Sequence, residues 1–172
     1  VGDCQACAIA AYRKQTETPV IKILMSDDAP QFKLLTEERT LCWIHDGRHY
    51  KKLNPIVPLH KILLDEFLTK YWLYYHQLKV YKEAPDPNKA MELTQQFKAL
   101  FSTCTGYQQL DDRIAKTYAK QKELLLVLKY PELPLHNNAS ELGARVQARA
   151  RDISLHTMSE EGTKIKDTFM TL

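Results

Sequence analysis

Two short acidic stretches hold the residues best suited to chemistry. In "TPVIKILMSDD" an apolar run ends on Asp27 and Asp28. In "PELPLHNNASELGARVQARARD" Glu141 follows two asparagines and precedes a series of arginines. Asn137, Asn138 and Ser140 are good helix N-cap types, and a glutamate in a first helical turn suits the positive end of the helix dipole. Arg145 and Arg149 follow Glu141 at one-turn intervals, so the three share a face. That face reads either as a salt-bridged surface or as a metal ligand backed by phosphate contacts. Magnesium prefers oxygen ligands and keeps several waters, so a few carboxylates from separate elements suffice to hold it. Phosphoryl transfer at a DNA backbone uses two divalent ions about 3.5–4 Å apart. For Asp27 and Asp28 the plainer alternative is a polar strand end that caps the next helix.

A second constellation pairs sulfur with nitrogen. Cys4-x-x-Cys7 and Cys42-x-x-His45 have the ligand types and spacings of a structural zinc site. Against it, "CQACAIAAYRK" reads as helix, and neither pair lies in the glycine-bearing turn of a zinc knuckle. His45 and Arg48 also admit a plain reading as a satisfied polar pair at a strand end.

The elements that must position these residues follow from hydrophobic period. Residues 4 to about 15 are alanine-rich and helical in pattern, and Pro19 ends that pattern. Val20, Ile21, Ile23, Leu24 and Met25 fit a strand at 20–26 buried on both faces. A short helical stretch around Gln31 to Glu38 leads to a second apolar run, "RTLCWIHD", read as strand over 39–46. Strand, helix and strand at this spacing predict a right-handed parallel unit. Ligands of such sheets gather at the carboxyl ends of strands, where Asp27, Asp28, His45 and Asp46 fall.

From about residue 57 the pattern is purely helical. Leu59, Ile62, Leu63, Phe67, Tyr71, Tyr74, Leu78 and Tyr81 make the inward stripe of a long helix ending near Glu83. Asp86 caps the next helix and Pro87 takes its first position. That helix turns Met91, Phe97, Leu100 and Phe101 inward and ends at Gly106. A third runs from about Gln108 to Tyr130 with Leu110, Ile114, Tyr118, Leu125 and Leu128 inward, closed by Pro131 and Pro134. The tyrosines from Tyr71 to Tyr81 are core rather than a stacking platform for bases.

Composition bounds the function classes. A chain of 172 residues with a 44% apolar share has the material for one domain with a real core. No apolar run approaches the roughly 18 residues of a membrane span. The start lacks a basic region before its apolar stretch, so no signal peptide is read. A net charge of +3 is too mild to imply nucleic acid, although basic residues crowd into 113–129 and 143–166. Four cysteines in a chain this long suggest reduced cytosolic thiols rather than a disulfide framework. The opening valine, and the helical spacing of Ile165, Phe169 and Leu172 to the last residue, read as ends cut from a longer protein or a decayed copy.

Taken together, "SDDAPQF", "LCWIHDGRHYKKL" and "LPLHNNASELGAR" followed by "DTFMTL" resemble the catalytic core of bacterial insertion-sequence transposases of the DDE type. The resemblance runs from about Pro19 to Leu172. It implies a helix-dominated α/β fold: a partial ribonuclease-H-like core of two short parallel strands with an α-helical insertion. Residues 1–56 would be the partial core, 57–131 the helical insertion, and 132–172 the C-terminal helices of the core. Carried over residue by residue, Asp27 resembles the second catalytic aspartate and Glu141 the catalytic glutamate, both metal ligands for Mg2+ or Mn2+. Cys42, His45 and Arg48 match the family's C-W-x-H-x-x-R pattern. Asp28, His45, Arg48, Asn137, Asn138, Arg145 and Arg149 would support the site or contact DNA. The implied partner is DNA at transposon ends, with a homodimer open and no membrane, in a bacterial cytoplasm. The family's first aspartate lies on an earlier strand, whereas the residues before Pro19 read as helix. An isolated chain of this kind is therefore expected to be inactive. "ELGAR" also departs from the family's "ERxxR", which bears on Arg145. The competing classes are a non-catalytic helical DNA-binding or interaction remnant and a zinc-stabilised binding module.

Overall fold

Only the end of the apolar run after Pro19 forms β1 (Ile23–Ser26), which pairs in parallel with β2 (Glu38–Leu41). The expected start at 20–22 is outside the strand, Ile21 is exposed, and Ile23, Leu24 and Met25 are half-buried rather than buried on both faces. The register sets Ile23 against Glu38 and Ser26 against Leu41, so the two strands end level with each other. This computed structural model describes residues 2–17, 19–29, 35–137, 161 and 164. It contains two compact units, residues 1–137 and 138–172. In the second, the described residues Glu161 and Lys164 are both helical. Both strands belong to the first unit. Ahead of them, α1 (Gly2–Lys14) is tied down by two contacts: the Arg13 guanidinium donates to the Thr36 carbonyl at 3.3 Å, and the Tyr12 hydroxyl accepts the Ile21 N–H at 3.0 Å.

The second strand is shorter than its apolar run predicts. "RTLCWIHD" divides after Leu41: Cys42 is extended, and its Sγ accepts the His45 N–H at 3.4 Å to open α2 (Trp43–Lys51). The buried positions of that stretch are Trp43, Asp46, Gly47 and Tyr50, which is the period of a helix and not of a strand. The residues just before β2 also differ from expectation, since 35–37 form a turn and Glu38 already belongs to the strand. Residues 31–34 of the expected helix lie outside the described residues.

Among the described residues of this unit, three further helices and a short one follow. α3 (Pro58–Glu83) is the longest, with 26 residues, about 39 Å at the usual rise. It turns Leu64, Phe67, Tyr71, Tyr74, Leu78 and Tyr81 inward, while Leu59 and Ile62 of the predicted stripe are exposed at 60% and 54%. α4 (Pro87–Phe101) starts as predicted: the Asp86 carboxylate accepts the Lys89 N–H at 2.8 Å and Pro87 follows at the first position. Its buried face is Leu93, Phe97 and Phe101; Met91 points outward, and the helix stops at Phe101 rather than Gly106. Gly106 instead serves the turn before α5 (Gln108–Tyr118), at a positive φ of 83°. The predicted third helix is broken. α5 ends at Tyr118, and a short α6 (Gln121–Leu124) and a 3-10 turn over Leu126–Leu128 come next. The cause is burial: Leu124, Leu125, Leu126 and Val127 are all buried, and no continuous helix can turn consecutive residues inward.

Trp43 lies at the centre of the core. It is fully buried and packs at 5.6 Å from both Tyr71 and Tyr74, with Phe97 and Phe101 at its edges. Its indole Nε1–H donates to the Leu124 carbonyl at 3.0 Å, so the helical block and the start of α2 share one anchor. Each large side chain buried this way contributes about 1.5–3 kcal/mol.

Candidate functional site

The level ends of β1 and β2 create a shared edge. Just past β1, Asp27 is exposed, and its carboxylate accepts the Ala29 N–H at 3.4 Å. Asp28 adopts a left-handed backbone, φ 73°, unusual for a residue with a side chain. Its two carboxylate oxygens meet different cations: Oδ1 lies 3.1 Å from Arg39 Nη2, and Oδ2 lies 2.6 Å from Lys120 Nζ. Arg39 comes from β2, and Lys120 from the junction of α5 and α6. Glu123 stands 3.8 Å from the same Arg39 nitrogen. The second terminal nitrogen of Arg39, Nη1, is buried and has no hydrogen-bond partner among the described residues.

Asp27, Asp28, His45, His49 and Lys120 line a narrow crevice, with Cys42 and Asp46 at its inner wall. Its free volume of about 10 Å³ is close to that of a single water. The crevice thus gathers Asp27, Asp28 and His45, as the sequence predicts, although His45 stands in the first turn of α2 and not at a strand end. Its ring meets His49, one turn on, at 5.1 Å edge to face. Burial, then the Arg113 charge and His45, hold the His49 imidazole below its ordinary pKa, with Asp46 opposing them.

Asp46 was expected at the strand end and is instead the hub of a buried network joining α2, α3 and α5. Its carboxylate pairs with the Arg113 guanidinium and accepts the Thr117 hydroxyl at 2.9 Å and the Tyr71 hydroxyl at 3.3 Å. Tyr50 and Thr117 hydroxyls meet at 2.7 Å beside it, and Tyr71 also donates to the Trp43 carbonyl at 2.9 Å. Burial pushes the Tyr50 and Tyr71 phenols well above their ordinary range, so both stay neutral donors.

The donor set bears on a divalent ion. Asp27 fits as a ligand, being an exposed carboxylate at the mouth of the crevice. Asp28 does not, because both of its oxygens are engaged by cations. Among the described residues, no three His, Cys, Asp or Glu side chains gather as a metal centre would require. Cys7 is exposed on α1, while Cys42 is buried and occupied in capping α2. Arg48 is exposed in the last turn of α2, and Asn137 is half-buried beyond the helical block. Asn138, Glu141, Arg145 and Arg149 lie outside the described residues. The sequence reading missed Arg39, Arg113, Thr117 and Lys120 as residues of this region. Only the crowding of basic residues in 113–129 hinted at two of them.

No family model matches the chain, and no solved structure does. Over 150 residues the chain is 37% identical to the uncharacterized protein y4jO of Sinorhizobium fredii, a match that takes in 87% of this chain and 46% of that protein. The chain therefore spans about half the length of the curated relative it matches.

Proposed function

We propose that this chain is part of a DDE-type transposase, whose parent cleaves and joins DNA strands at transposon ends with Mg2+ or Mn2+. The observation that carries the reading is the carboxyl edge of the parallel pair. Asp27 stands there as an exposed carboxylate, and the Cys42-Trp43-x-His45-x-x-Arg48 pattern begins as soon as β2 ends. Residues of that pattern have intelligible places: Cys42 caps α2, Trp43 anchors the core, and His45 faces the crevice with Asp27. Asp27 and Glu141 would each bind a divalent ion, which polarises the phosphodiester and activates the attacking oxygen. The element before β1 is a helix, so the third carboxylate would come from elsewhere in the parent, and the 172 residues alone would not catalyse.

The test uses the full polypeptide encoded by the gene. Asp27→Asn or Glu141→Gln should abolish Mg2+-dependent nicking of transposon-end DNA by several orders of magnitude while leaving DNA binding in place. Nicking that survives both substitutions overturns the proposal.

A further inference from the structure

We propose that Arg39 and Lys120 form a binding site for a backbone phosphate of a nucleic acid strand, occupied in the free chain by the carboxylate of Asp28. The inference rests on the nucleic-acid reading above and adds to it the residues and the charge exchange. Two cations from separate elements converge on one anion, at 3.1 Å and 2.6 Å, as they would on the oxygens of a phosphodiester. The carboxylate satisfies them incompletely. One of its oxygens goes to Lys120, the other meets Arg39 through Nη2, and Arg39 Nη1 stays buried without an acceptor among the described residues. A buried donor without a partner is costly, and a tetrahedral phosphate head offers the guanidinium fork the second contact that Asp28 withholds.

Asp28 has a left-handed backbone, φ 73°, a conformation that aspartate adopts more readily than most residues. A phosphate in place of its carboxylate would share the crevice with Asp27, an exposed carboxylate whose charge opposes it unless a cation stands between them. Asp28 is thus a built-in competitor for the strand.

The test measures binding of a short labelled single-stranded oligonucleotide by fluorescence anisotropy over a salt series, with inorganic phosphate titrated separately. The wild-type chain is compared with Asp28→Asn and Lys120→Gln, each checked for helix content. Asparagine is chosen because it tolerates the left-handed backbone. Asp28→Asn should tighten oligonucleotide binding roughly tenfold, the scale of one additional charge-assisted hydrogen bond. The slope of log affinity against log salt should steepen by about 0.7 for each added phosphate contact. Lys120→Gln should weaken binding and flatten that slope. Wild-type binding that Asp28→Asn leaves unchanged in affinity and slope overturns the inference and spares the nucleic-acid reading. Absence of binding by both proteins at low salt overturns the two together. Tighter binding of inorganic phosphate without tighter binding of the oligonucleotide overturns the assignment to a strand.

Discussion

Asp46 and Asp28 are each paired with an arginine, yet their surroundings differ. The Asp46–Arg113 side chains are 6% and 12% exposed, and uncharged donors from Thr117 and Tyr71 complete the carboxylate's contacts. Asp28 is 28% exposed and both of its partners are cations, Lys120 at 25% and Arg39 at 11%, as buried as Arg113. The two sites thus differ in the exposure of the carboxylate rather than of the arginine. The first carboxylate is held by α2, α3 and α5 and shows only at the inner wall of the crevice. The second is the one that we propose another anion replaces. Burial, and not the mere presence of an ion pair, separates a structural aspartate from one suited to ligand exchange.

The largest expected effect tests the enclosed pair. Asp46→Ala leaves the Arg113 charge buried and unmatched, and should cost about 3–5 kcal/mol in urea denaturation. Replacing both partners, Asp46→Leu with Arg113→Met, should recover most of that loss, because apolar residues of similar volume need no compensation. A loss below about 1 kcal/mol in the single variant would erase the difference between the two aspartates. Next comes the packing that holds α2 against α3. A Cβ on Gly47 would lie 2.8 Å from the Trp72 ring and 3.2 Å from Tyr71, so Gly47→Ala should destabilise by about 1–3 kcal/mol. Trp72→Leu in the same chain should relieve part of it, and full additivity of the two changes would argue against a clash. At the open edge, Asp28→Asn should shift stability by less than about 1 kcal/mol, as partly exposed pairs do. A shift as large as that of Asp46→Ala would make Asp28 structural.

The start of α4 was legible because its cause is local: a capping aspartate and a proline suffice, and Asp86 and Pro87 act as their types predict. The sheet was legible as two apolar runs, but the end of the second was not. Trp43 and Ile44 prolong an apolar stretch whether it continues as strand or as helix, and a cysteine is a weak sign of a helix start. The break after Tyr118 depends on which leucines the core demands, a tertiary fact that no local pattern carries. The same limit hid the site's cations. Asp46 and Arg113 are 67 residues apart in the chain, and nothing near either announces the other. Asp27 and Asp28 are legible because strand ends collect polar residues, and His45 through the C-W-x-H-x-x-R resemblance, although the strand expected there is a helix. Arg39 and Lys120, by contrast, resemble ordinary surface charges until the fold brings them to Asp28.

The smallest expected effect belongs to His49, which stands between the two regions. Its ring faces His45 in the crevice, while Arg113 and Asp46 act on it from the buried side. Burial opposes the imidazolium most, Arg113 and His45 add to that opposition, and Asp46 only partly offsets them, so the folded pKa lies below the ordinary 6.5. The unfolded chain therefore takes up the proton first as pH falls. Stability should be full above about 6.5, decline as pH drops through that value, and level off once the folded His49 is protonated as well. Glu38 and Asp111 are held below their ordinary values, so their losses belong to more acidic solutions. Denaturation midpoints measured from neutral to mildly acidic pH should show this decline in the wild-type chain and a shallower one in His49→Gln. Asp28→Asn should leave its slope unchanged. A decline that persists undiminished in His49→Gln would mean that His49 is not its source.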